Sequence, residues 1–147
     1  MRWRDLILDA NALSSAGAHS EAMGLYAKAL DEARRLFEIA RSRDRNGEEA
    51  VCILVASAVN AARNLEAWGA PQDACLPLKA AVSLLIETLR SGDGGSALKS
   101  AAAQHLPRLL AELHRGPPEA PDVGSDRAEL VRHAKAAALA HWKGLAT

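Results

Sequence analysis

Between His19 and Arg43, apolar residues recur at steps of three and four: Ala22, Leu25, Tyr26, Ala29, Leu30, Ala33, Leu36, Phe37 and Ala40. That spacing lays one stripe along a helix of about 3.6 residues per turn. Most charged residues of the segment fall on the other face, so this helix must be covered by neighbours. The same period predicts a first helix over Trp3–Ser15, with Leu6, Ile7, Ala10 and Leu13 inward and Gly17 ending it. A short turn then makes the first two helices antiparallel. A third helix is predicted from an Asn46 N-cap, with Glu49 reaching back as a capping box, to about Trp68. Its run Val51, Leu54, Val55, Ala58, Ala61, Ala62 and Leu65 is the most apolar of the chain, which places it at the centre.

Pro71 suits the first turn of a fourth helix reaching Arg90, while Pro77 should kink it or move its start to about Leu76. A fifth helix is predicted from a Ser96 cap, with His105 on its inward stripe as a buried histidine holding one hydrogen-bond partner and Pro107 as a second kink. Residues 116–124 are rich in Pro and Gly and read as a linker. A sixth helix follows from Ser125 or Asp126, with Glu129 completing a capping box and a stripe of Leu130, Ala134, Ala138, His141, Trp142 and Leu145. The fold class is therefore all-α: antiparallel helical hairpins, about six helices, in a single domain over residues 1–147.

Two stretches superpose at a constant offset. Leu6, Ala10, Leu13, Gly17, Ala22, Tyr26 and Ala29 correspond to Ala58, Ala62, Leu65, Gly69, Ala74, Leu78 and Ala81, each 52 residues later. With Gly at the turn and a small-large-small pattern in the helix after it, the unit resembles the tetratricopeptide repeat, although 52 exceeds that family's usual length of about 34 and the closing Pro is absent. On this resemblance residues 1–91 form two helix pairs, and residues 96–147 a degenerate third with the Pro-rich linker inserted. The resemblance implies a non-catalytic scaffold, an adaptor or subunit, that binds a peptide or protein on the face of the first helix of each pair. Arg4, Asn11, Asn60 and Arg63 would lie there, and the two amides with the Arg63 guanidinium are suited to a partner's carboxylate.

Composition narrows the chemistry. Aromatic residues make up 3%, so Ala, Leu, Val and Ile must build the core. The 18 basic and 18 acidic residues cancel, which argues against a nucleic-acid or membrane-surface binder. Arg41, Arg43 and Arg45 read as a solvated helix end or an anion-binding patch. A nucleic-acid contact would use them with Arg34 and Arg35. Asp5 and Asp9 interrupt the only apolar run near the start, and the uncharged run Ala50–Val59 is far short of a bilayer span, so a cytoplasmic location is expected. Cys52 and Cys75 are expected as buried thiols too far apart to pair. No catalytic or phosphate-binding motif occurs, so neither enzyme activity, cofactor nor metal is expected. The alternative is an Ala-rich bundle holding a small ligand or metal between helices, through His105, His133, His141 and Cys75. Trp3, Trp68 and Trp142 sit near helix ends, where they cap the core. Trp142, near the end of the last helix, is the candidate interface anchor, for a partner or for a second copy of the chain.

Overall fold

The computed structural model describes residues 2–43, 45–91, 95–116 and 124–146. Among the described residues six helices follow in order: α1 (Trp3–Ser15), α2 (His19–Arg43), α3 (Gly47–Ala67), α4 (Cys75–Arg90), α5 (Ser96–Arg115) and α6 (Gly124–Ala146). No strand occurs among the described residues. The chain is all-α, with α1 and α2 bounded as their periodicity predicts. Most of the linker 116–124, the turn residues 92–94 and the side chains of Asp126 and Leu145 lie outside the description.

The two predicted turns close in the same way. At the first, the Gly17 amide donates to the Ser14 carbonyl (3.0 Å) and the Ala18 amide to the Leu13 carbonyl (2.9 Å). At the second, the Gly69 amide donates to the Glu66 carbonyl (3.1 Å) and the Ala70 amide to the Leu65 carbonyl (2.8 Å). Both glycines have positive φ, 82° and 88°, the left-handed conformation such helix ends require. All four positions recur 52 residues on, so the offset seen in the sequence is an offset of backbone structure.

α2 is long because it serves two clusters. Its first half buries Ala22, Tyr26 and Ala29 with Leu6, Ile7 and Ala10 of α1 and Ala61 of α3. Its second half buries Ala33, Phe37 and Ala40 in the main core with α3, α4, α5 and α6. α3 holds the centre, packed on α2, α4, α5 and, lightly, α1. By length and composition α3 could cross a membrane, but 61% of its apolar window is buried inside this fold. It therefore has the surroundings of a core helix.

The remaining packing is α4 on α5 and on α6, and α5 on α6. Among the described residues, neither α1 nor α2 packs closely along the backbone of α5 or α6, although the second half of α2 shares the main core with them. α3 and α4 thus lie between the first helix pair and the last. α3 and α5 run parallel, since Gly47 meets Leu98, Arg63 meets Glu112 and Glu66 meets Arg115 in the same sense.

Helix starts depart from expectation. Asn46 takes a left-handed conformation (φ 58°, ψ 31°) and its side chain makes no cap bond, so the Asn46–Glu49 box does not form. A capping side chain works from an extended backbone, which a left-handed residue does not have. The next residue is held close to α5: a Cβ on Gly47 would lie 2.8 Å from the backbone N and Cα of Leu98. Ser96 is the first residue of α5 rather than its cap, which is Gly95. Residues 71–74 form a turn, and α4 starts at Cys75. Pro77 is then the third helical residue, where a missing amide hydrogen leaves no bond unmade.

Candidate functional site

Buried polar groups tie the first hairpin to α3. Asn64 is 2% exposed; its Nδ2 donates to the His19 carbonyl (3.1 Å), and its Oδ1 faces His19 Nδ1 at 2.9 Å. Trp3 Nε1 donates to Ser57 Oγ (2.6 Å), which bonds the Ile53 carbonyl in turn (2.7 Å). Trp3 thus closes the core at one end, as expected of it. Trp68 (48% exposed) and Trp142 (44%) stay in solvent, and Trp142 meets the His141 ring edge-on.

The polar residues read as a peptide-binding face have internal partners. Asn11 Oδ1 accepts the Tyr26 hydroxyl. Asn60 Nδ2 donates to the Ala56 carbonyl of its own helix (2.8 Å). Arg63 reaches Glu112 on α5 (2.9 Å), and Arg115 bonds both Glu112 (3.2 Å) and Glu66 (3.1 Å), giving a four-residue charged seam between α3 and α5. Burial pushes the Glu112 carboxyl up, but Arg63 and Arg115 together outweigh it and hold the group below its usual range. Arg4 is exposed on α1. A carboxylate clamp on these residues would have to break several of these bonds.

The arginine group is divided between two grooves. Arg41 lies with Arg90 and His133 in one of ≈ 550 Å³ between α2, α4 and α6, where its guanidinium faces Glu87 at 3.5 Å and donates to Ser91 Oγ at 3.3 Å. Arg43 and Arg45 line another, of ≈ 280 Å³, beside Glu49. Arg35 pairs with Glu32 in its own helix.

The residues behind the ligand-or-metal alternative also separate. His133 lies 3.8 Å from Glu129, His141 Nε2 is 3.2 Å from Ser100 Oγ, and the Cys75 thiol donates to the Gln72 carbonyl. His105 is half-buried, with two partners rather than one. Its Nε2 lies 3.0 Å from Glu48 Oε1 and 3.6 Å from Cys52 Sγ, and the Cys52 thiol is 3.7 Å from the same Glu48 oxygen. Cys52 is exposed, against the expectation of a buried thiol, and both cysteines are free.

Local structure explains this cluster. Glu48 and Cys52 stand four residues apart on α3, hence on one face, and His105 comes from the parallel α5 beside them. The hydrogen bond from His105 holds the Glu48 carboxyl below its usual range, against the opposing effect of burial. Burial pushes the Cys52 thiol up and the Glu48 carboxylate adds to it, while Arg108 pulls it back. A thiol so placed is not an activated nucleophile. Nor is this a nucleophile–base–carboxylate relay, which would need the carboxylate on the other ring nitrogen. What the three groups share is a point of convergence for a sulfur, a nitrogen and an oxygen donor.

Sequence reasoning placed His105 inward and gave Cys52 no partner. One signal pointed further: the four-residue spacing of Glu48 and Cys52, which puts both on one helix face.

No curated protein and no solved structure matches the chain. The profile of one family, DUF2753, described as protein of unknown function, matches residues 1–140. The match spans nearly the whole of the paired helices, and the chain belongs to the DUF2753 family.

Proposed function

We propose that this chain is a non-catalytic interaction module, a cytoplasmic adaptor or subunit, that holds a protein or peptide partner on a helical surface in the manner of tetratricopeptide-like repeats. The observation that carries the reading is the pairing of neighbouring helices along the chain. Among the described residues the α1–α2 and α5–α6 pairs do not pack closely along one another, a pattern compatible with stacked hairpins. The 52-residue recurrence of the turn geometry supports the repeat character.

Within that array the contact surface is the outer face of α6. Leu139 and Trp142 lie three residues apart, hence on one face, and are 54% and 44% exposed. An exposed Trp beside an aliphatic residue is the composition of a binding hot spot. Asn11 and Arg63 serve better as ties between helices, given their partners, and Asn60 bonds within its own helix.

The test is affinity capture with the tagged chain, beside a Leu139→Ser/Trp142→Ala double variant of matched helicity, followed by sedimentation of the purified species. The expected result is a partner, or a second copy of the chain, held by the parent and lost by the variant. A parent chain that sediments alone, with the same capture profile as its variant, overturns the proposal.

A further inference from the structure

We propose that Glu48, Cys52 and His105 form a binding site for one divalent transition-metal ion of the zinc type, with a fourth coordination position open to water. The site is independent of the interaction surface on α6.

Donor geometry is the first argument. For a tetrahedral zinc ion with usual bond lengths, donor-to-donor edges are about 3.6 Å for sulfur–nitrogen, about 3.6 Å for sulfur–oxygen and about 3.4 Å for nitrogen–oxygen. The edges here are 3.6 Å for Cys52 Sγ to His105 Nε2, 3.7 Å for Cys52 Sγ to Glu48 Oε1, and 3.0 Å for His105 Nε2 to Glu48 Oε1. All three atoms lie within 4.8 Å of one another. Only the nitrogen–oxygen edge must lengthen, by a few tenths of an ångström. The Glu48 side chain, 61% exposed, can supply that movement.

Charge is the second argument. A thiolate and a carboxylate bring two negative charges and a neutral imidazole brings none, so a divalent ion leaves the set neutral. Thiolate with imidazole selects zinc and its neighbours over magnesium or calcium, which prefer oxygen ligands alone.

Rigidity is the third. Two donors share one helix face, and the third is fixed by a helix pressed against it. The contact of Gly47 with the Leu98 backbone sets the α3–α5 spacing at one end, and the Arg63–Glu112–Arg115–Glu66 seam sets it at the other. Sites on such paired elements hold their geometry better than sites on loops. Cys52 and Glu48 are exposed, which gives the ion a path in and leaves room for water as the fourth ligand.

The test uses the full chain, reduced, free of any polyhistidine tag and stripped with a chelator, titrated with Co²⁺. The expected result is one equivalent bound, with a thiolate-to-cobalt charge-transfer band, tetrahedral visible bands, and displacement by Zn²⁺. Cys52→Ser should abolish the charge-transfer band, and Cys75→Ser should leave it. Glu48→Gln and His105→Gln should each weaken binding at least about a hundredfold, the upper end of what loss of a mere outer partner of a ligand causes. Far-ultraviolet circular dichroism confirms that each variant is folded. The proposal is overturned if the folded, reduced parent gives no charge-transfer band. It is equally overturned if the band follows Cys75 instead of Cys52, or if His105→Gln binds as tightly as the parent.

Discussion

Gly47 and Gly24 offer one substitution with two opposite expected outcomes. Gly24 sits inside α2, exposed, and a Cβ there meets nothing within 4 Å. Gly24→Ala should stabilise the protein by about 0.5–1 kcal/mol, because alanine loses less backbone entropy on entering a helix. At Gly47 the added methyl would lie 2.8 Å from both the N and the Cα of Leu98. Ordinary contact begins at 3.4 Å, so α3 and α5 must separate by roughly half an ångström, and backbone atoms cannot rotate away as a side chain could. Overpacking of this kind costs about 1–3 kcal/mol, and the helix-propensity gain at a first helical position offsets only part of it. The net expectation for Gly47→Ala is a loss of about 1–2 kcal/mol. In urea that lowers the unfolding midpoint by roughly 0.5–1 M for a slope of about 2 kcal/mol/M, and in thermal scans it lowers Tm by several degrees. Unfolding followed by circular dichroism on parent and both variants is sufficient. A Gly47→Ala protein as stable as the parent, alongside a stabilised Gly24→Ala, would refute the close approach of α3 and α5. The same separation stretches the Cys52–His105 edge, already 3.6 Å, beyond the tetrahedral value, so cobalt binding should weaken in Gly47→Ala and not in Gly24→Ala.

Other outcomes follow from the buried ties. Asn64→Ala removes the partner of the His19 carbonyl and of the His19 ring; it should cost about 1–3 kcal/mol in urea unfolding and speed amide exchange around the α1–α2 turn. Parent-like stability in that variant would show that the tie carries nothing. Because the folded Glu112 carboxyl titrates below its unfolded value, its contribution is present above the unfolded value of about 4.3 and fades as pH falls through the folded one. Glu112→Gln should therefore be less stable near neutral pH, with the difference closing in acid. Arg63 and Arg115 are 58% and 49% exposed, so solvent screening keeps each pair under about 1 kcal/mol. A difference that persists unchanged into acid would contradict the ion-pair account.

Much of the architecture was legible because its causes are local. The bounds of α1 and α2 follow from the helical period of apolar residues and from Gly17, whose positive φ is a property of glycine as much as of the fold. The 52-residue offset likewise reported a real recurrence of turn geometry. Readings failed where an edge or a cap had to be assigned. His105 flanks its stripe, and an apolar stripe fixes a face only to within about 100°. Its neighbours across the helix gap decided that it would be half-buried against Glu48 and Cys52. Asn46 carries the side chain of an N-cap, yet its backbone is left-handed in the fold, a conformation that a cap cannot use.

The sequence by itself determined that the chain is all-α, where its first two helices begin and end, and that α3 would be the central apolar element. Periodicity, glycine and proline act within a few residues, and these are their consequences. Only the tertiary structure decided that Asn11, Asn60 and Arg63 would be engaged internally, that Cys52 would face solvent, and that three metal-type donors would meet at one point. Those outcomes depend on which faces of α3 and α5 meet and at what distance. That is a property of packed pairs of helices about fifty residues apart, and no local pattern in either helix contains it.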